Sequence, residues 1–211
     1  MPKLILILLM IQAVRIGLLQ ILLQISDNAM LYHSFLLIPI GILLILSIRP
    51  SLGNLGLDIK KMDKRVKIVY LIGGILVIVI ALLTPSLWLE PSPMTIISVV
   101  ESVLIYPIFE ELLFRGYVWS KLEKRFEGRR FGGMEIIALN SLLFGVWHLG
   151  YLDVIFMKTQ AQLTSTPFVT IMFYKVLTGM VFGVLTGVAR WRMKSTYSSI
   201  LVHSFFNIFG R

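Results

Sequence analysis

The chain has 211 residues, 57% of them hydrophobic and only 15% charged, with a mean hydropathy of +0.86. A soluble domain carries about 25% charged residues, so a water-soluble globule is excluded and a membrane domain is indicated. No cysteine occurs, which excludes a disulfide framework, a thiolate zinc site and a cysteine nucleophile.

Seven apolar runs follow one another, at about 4–25, 30–48, 66–89, 94–117, 133–150, 167–189 and 196–209. Most approach the ~20 residues that span a bilayer. The expected fold is therefore all-α, a polytopic transmembrane bundle of about seven spans. The first run lacks an Ala-x-Ala-like exit and reads as a retained span. In it Gln12, Gln20 and Gln24 fall near one helical stripe with Arg15 beside them, a polar seam expected to face other helices. His33, at the start of the second run, reads as incidental. Turn chemistry separates the runs: Ser26-Asp27-Asn28, Pro50 to Asn54, Pro91-Ser92-Pro93, Gly132-Gly133 and Thr164 to Pro167.

The net charge is +9, and its placement orients the chain. Lys3, the cluster Arg49 to Lys67, the cluster Lys121 to Arg130 and Arg190, Arg192 and Lys194 put 15 of the 20 basic residues on one side. The opposite connections hold Asp27, Glu90, Asp153 and a single Lys158. The positive-inside rule then gives a cytoplasmic N-terminus and seven crossings. Juxtamembrane bases orient the chain and meet anionic lipid, so the partner is the bilayer and no nucleic acid is expected.

The fourth run carries Glu110, Glu111 and Arg115 within six residues. Each ionisable group at membrane depth costs roughly 2.5–3.5 kcal/mol on insertion scales, so such groups pair or line a wet cavity. Glu111 and Arg115, four apart, share a helical face and can pair. Glu110 points about 100° away and has no partner in its own helix. His148 lies in the fifth run, one turn after Phe144, and His203 lies in the seventh, one turn before Asn207. Glu110 and His148 are each 19 residues from Arg129, so an antiparallel hairpin sets them at one level. His203 lies about ten residues beyond the 190–194 cluster, on the order of 15 Å along a helix, which is the same layer. That match requires residues 115–127 to continue as helix. In the sixth run Gly179, Gly183 and Gly187 make a small-residue packing face, and Lys175 is a cavity candidate better read as snorkelling.

Glu-Glu-x-x-x-Arg, Phe-x-x-x-His and His-x-x-x-Asn, in that order on successive membrane helices, resemble the CPBP intramembrane protease family. This family, also called Abi or CAAX-protease, includes the Ras-converting CAAX endopeptidase. The resemblance covers residues 94–210 and divides the chain into a three-span region, 1–93, and a catalytic core. It implies hydrolysis of a peptide bond in a membrane-associated substrate, either CAAX-like or a small secreted, bacteriocin-type peptide. By the same resemblance Glu110 is the general base, His148 holds and polarises the water, and His203 and Asn207 stabilise the oxyanion. Glu111 with Arg115 supports the base, and Phe144 belongs to the supporting set. Two mechanisms stay open: water activated without a metal, and a zinc held by Glu110, His148 and His203 with an open fourth position. The absence of His-Glu-x-x-His favours the first. Ser102, Ser141 and Ser204 sit in no elbow motif, which disfavours a serine nucleophile.

Three rival functions remain: a non-catalytic membrane scaffold, a bacteriocin self-immunity protein, and an ion-coupled transporter using the two glutamates. The last lacks an internal repeat. The small, loop-poor design points to a multi-pass protein of a bacterial cell membrane.

Overall fold

The computed structural model describes residues 1–26, 29–162 and 166–209. Asp27, Asn28, Thr164 and Ser165 of the expected turns, and the side chain of Lys158, lie outside the described residues. Seven main helices follow the apolar runs: α1 (Pro2–Ile25), α2 (Leu37–Ile48), α3 (Lys64–Leu82), α4 (93–126), α5 (Gly132–Trp147), α6 (Phe168–Met193) and α7 (Thr196–Phe209). No strand occurs among the described residues. Among the described residues, four helices are long and apolar enough to cross a membrane: Pro2–Ile25, Lys64–Leu82, Gly132–Met157 and Phe168–Met193. Their outward faces are apolar, as with Leu71, Ile72 and Ile75 on α3, and suit lipid rather than water.

Local chemistry explains most helix ends. Asp63 caps α3 by accepting from the Arg65 N–H at 2.7 Å. The third apolar run was expected to extend to residue 89, yet α3 ends at Leu82 and Pro85 opens a separate short helix, Pro85–Leu89. Proline has no N–H to donate and disfavours helical geometry in Thr84 before it, so the run breaks there. Ser92 caps α4 through the Thr95 N–H, with Pro93 in the first turn. Helix α4 does continue to Phe126, well past the apolar run.

Helix α4 is not uniform. Its segments Glu101–Ile105 and Leu112–Val118 are wound as π-helix, with an α-helical turn, Tyr106–Glu111, between them. Widened turns misalign backbone carbonyls, and polar side chains of later helices take them up. Asn207 donates to the Ser102 carbonyl at 2.9 Å, and Ser204 to that of Val103 at 2.7 Å. Asn140 donates to Phe114 O at 2.8 Å, and Arg190 Nε to Arg115 O at 3.1 Å. The two glutamates thus sit on a short α-turn held from both sides.

Helices α5 and α6 pack closely because glycines face each other's backbones. A Cβ on Gly183 would stand 2.7 Å from Ser141 Cα, and one on Gly145 would stand 2.9 Å from Val176 O. Gly187 is looser, 3.5 Å from Ile137. Gly183→Ala therefore forces the two helices apart, and we expect it to cost about 1–3 kcal/mol. A thermal unfolding series in detergent measures the loss. The loop after α2 is fastened to the start of α7, where the Thr196 N–H donates to Gly56 O at 3.0 Å. Gly56 adopts φ +68° there, and an added Cβ would meet Thr196 Oγ1 at 2.9 Å.

Two sequence expectations change. Within the stripe of α1, Gln12 and Arg15 are buried, while Gln20 and Gln24 are exposed. The neighbouring helices cover only the first half of that face. His33 is buried, and its Nε2 lies 2.8 Å from the Tyr106 hydroxyl, so it belongs to the packing of the turn before α2, His33–Leu36, on α4. Lys175 is exposed.

Candidate active site

Glu110 and Glu111 are 3% and 0% exposed, and each is held differently. Glu110 receives two hydrogen bonds on Oε1, from the indole N–H of Trp147 at 3.3 Å and the hydroxyl of Tyr151 at 3.1 Å. Its Oε2 is turned toward His203 Nε2 at 4.0 Å, beyond hydrogen-bond distance. One carboxylate oxygen is anchored and the other faces an imidazole. Trp147 and Tyr151 come from the end of α5 and from the single tight turn that follows it, His148–Tyr151.

Glu111 contacts two side chains, Arg115 and His203. Arg115 approaches through Nη1 at 3.3 Å to Oε1 and through Nε at 3.2 Å to Oε2. The second contact is close but not aligned as a hydrogen bond, since neither atom has a hydrogen-bond partner. Arg115 is further fixed by donating from Nη2 to Gly183 O at 3.0 Å and by lying over the Phe144 ring at 4.4 Å. His203 Nδ1 stands 2.8 Å from Glu111 Oε1. The carboxylate there can only accept, so Nδ1 carries the proton and Nε2 is directed to Glu110.

His148 is 8% exposed, with Nδ1 2.7 Å from the Phe144 carbonyl. That carbonyl also only accepts, so in the neutral ring Nε2 presents its lone pair. Phe144 is the packing hub, edge-on to Phe114 at 5.0 Å and to His148 at 4.9 Å, and 6.0 Å from His203. A Cβ on Gly179 would fall 2.7 Å from His148 Nδ1, so the small-residue face of α6 also sets the position of this histidine.

The structure therefore brings Glu110, Glu111, Arg115 and His203 into one contacting group and seats His148 and Phe144 beside it. Asn207 stands one turn beyond His203, and its side-chain amide donates to Ser102 O. Ser141 and Ser204 donate to the carbonyls of Ile137 and Val103, which gives neither an activating base. Among the described residues no three His, Asp or Glu side chains are gathered to hold a metal ion. An ion held by Glu110, His148 and His203 would meet Oε2 and the two Nε2 atoms, since Oε1 and both Nδ1 atoms are engaged elsewhere.

Sequence reasoning missed Trp147 and Tyr151. Their one available signal is spacing: they lie four apart on either side of His148, at the level the hairpin count assigns to Glu110. The residues near His148 that hydrogen-bond Glu110 are its aromatic neighbours Trp147 and Tyr151.

No curated protein and no solved structure matches the chain. A family model described as Type II CAAX prenyl endopeptidase Rce1-like matches residues 92–209, from the cap of α4 to the end of α7. That span is more than half of the chain and contains every residue of the carboxylate–histidine group. The chain belongs to the Type II CAAX prenyl endopeptidase Rce1-like family and is, at that level, a CAAX-type protease of the membrane.

Proposed function

We propose that the protein is an intramembrane endopeptidase that hydrolyses a peptide bond near the C-terminus of a membrane-associated, CAAX-like peptide. Glu110 is its general base. The observation that carries this reading is the division of labour within that carboxylate, with Oε1 anchored by Trp147 and Tyr151 and Oε2 turned to the His203 side. A base must hold its geometry while one oxygen stays available to a water.

The steps follow from the donor and acceptor assignments. A water held between Glu110 Oε2 and the lone pair of His148 Nε2 gives its proton to Glu110 as its oxygen attacks the scissile carbonyl. The tetrahedral oxyanion is met by the second N–H of Asn207 and by His203, whose Nε2 must then carry a proton besides the one on Nδ1, contacts of a type worth a few kcal/mol. Glu110 then returns the proton to the leaving amine. Glu111 and Arg115 fix His203 and the turn that carries the base. No step passes through a metal.

The core is residues 94–210, preceded by a three-span region, 1–93. Seven crossings with a cytoplasmic N-terminus fit the distribution of basic residues, and a bacterial cell membrane is the setting. An apolar groove between α2 and α4 is lined by Gly41, Leu44, Ile45, Phe109 and Leu112. It gives the hydrophobic end of such a substrate a place next to α4. The test is cleavage of an internally quenched, prenylated CAAX-type peptide in proteoliposomes. Turnover that Glu110→Gln removes supports the reading, and full turnover by that variant overturns it.

A further inference from the structure

The buried polar face of α1 lies outside the matched family region, yet it closes on the turn that holds Glu110. Gln12 Nε2 donates to the Trp147 carbonyl at 3.2 Å, and Arg15 Nε donates to Gln12 Oε1 at 3.0 Å. Arg15 Nη2 donates to the Gly150 carbonyl and to Asp153 Oδ1, the latter at 2.7 Å. The guanidinium lies 5.0 Å above the ring of Tyr151, whose hydroxyl bonds Glu110. Gly150 has no side chain where one would strike this assembly, since a Cβ there would fall 2.1 Å from the Gln12 amide carbon. Arg15 is 2% exposed and Gln12 8%.

A lone intramembrane arginine paired with an aspartate is usually explained as packing between helices. That account covers the Asp153 contact and leaves the rest without a reason. Of the three carbonyl and carboxylate acceptors, Gly150 O belongs to the tight turn and Trp147 O to the last residue of α5, where the end of the α-helix leaves backbone carbonyls without intrahelical donors. The cation also faces the ring of Tyr151, whose hydroxyl reaches the base. A cation over that ring draws density from the phenol, which makes its O–H a stronger donor to Glu110.

We propose that Arg15, oriented by Gln12, is a positioning residue for Glu110 that acts through Tyr151, so that the N-terminal region completes the active site. The proposal rests on Glu110 being the base. It assigns to the first 93 residues a part in catalysis besides anchoring. Arg15 touches neither substrate nor reacting atoms.

The experiment is a double-mutant cycle read by kcat and KM on the same quenched prenylated peptide, normalised to monodisperse protein in proteoliposomes. Arg15 is removed together with its counter-ion, as R15M/D153N, so that no buried carboxylate is left unpaired. We expect kcat to fall about tenfold with KM within about twofold, R15K to restore kcat to within about threefold of wild type, and Y151F alone to fall about tenfold. In the Y151F background R15M/D153N should add less than about twofold, because both changes cut the same link. Losses that multiply, or an R15K as slow as the charge-free variant, overturn the proposal. Should R15M/D153N not fold, Q12L removes only neutral contacts, and its few-fold loss must vanish in the Y151F background or the proposal fails. Glu110→Gln is run alongside. Full activity there overturns the base, whereas an inactive Glu110→Gln with multiplying losses overturns the role of Arg15 alone.

Discussion

Glu110→Gln is expected to lower kcat by about 10²–10⁴, the range that general-base catalysis supplies, while the protein stays folded. Glutamine keeps the size of the side chain and a carbonyl oxygen, so Trp147 and Tyr151 retain an acceptor where Oε1 stands. His203 Nε2 makes no hydrogen bond to Oε2, so none is lost there. The change in stability should stay within about 1 kcal/mol, the net worth of an ordinary hydrogen bond. What glutamine cannot do is take a proton from water. KM should move little, since the carboxylate acts on the attacking water and not on the bound peptide. A variant that melts with wild type yet does not cleave would separate catalysis from folding at this position. Cleavage at the wild-type rate would remove Glu110 from the mechanism.

The cost of charge in lipid decides which of these residues are legible in the sequence. Burying a charge in lipid is so unfavourable that each polar residue in an apolar run is conspicuous, and Glu110, Glu111, Arg115, His148 and His203 stood out for that reason. The Glu111–Arg115 contact followed from helical periodicity alone, because both partners lie on one helix. Partners on different helices were less legible. Trp147 and Tyr151 look like ordinary apolar filling in a list of residues, and their polar tips matter only once α5 is docked on α4. Gln20 and Gln24 mark the opposite error: a stripe has a period but no end, and the sequence does not say how far its neighbours cover it. The π-wound segments of α4 are set by side chains more than twenty residues away, such as Asn140 and Arg190, and no local composition announces them. Asn207 shows both sides of this, conspicuous in the sequence and engaged in the structure by one of those segments.

Arg115→Met is expected to be the most destabilising single change in the group, at about 3–5 kcal/mol, because it leaves Glu111 buried without its cation. Both side chains are fully buried, so water cannot replace the lost partner. The Gly183 carbonyl loses its donor as well, and Phe144 loses the guanidinium above its ring. If the charge imbalance dominates this loss, Glu111→Gln/Arg115→Met should recover most of the stability, since a neutral pair leaves no orphaned ion. Activity should not return with it. In the double variant His203 Nδ1 faces an amide where a carboxylate had fixed its proton, and Nε2 is no longer held toward Glu110. Thermal unfolding in detergent and turnover on the quenched peptide read the two properties separately. Stability without turnover in the double variant assigns Glu111 to the orientation of His203. A double variant as unstable as Arg115→Met would mean that Arg115 acts through Gly183 and Phe144 and not through its charge on Glu111.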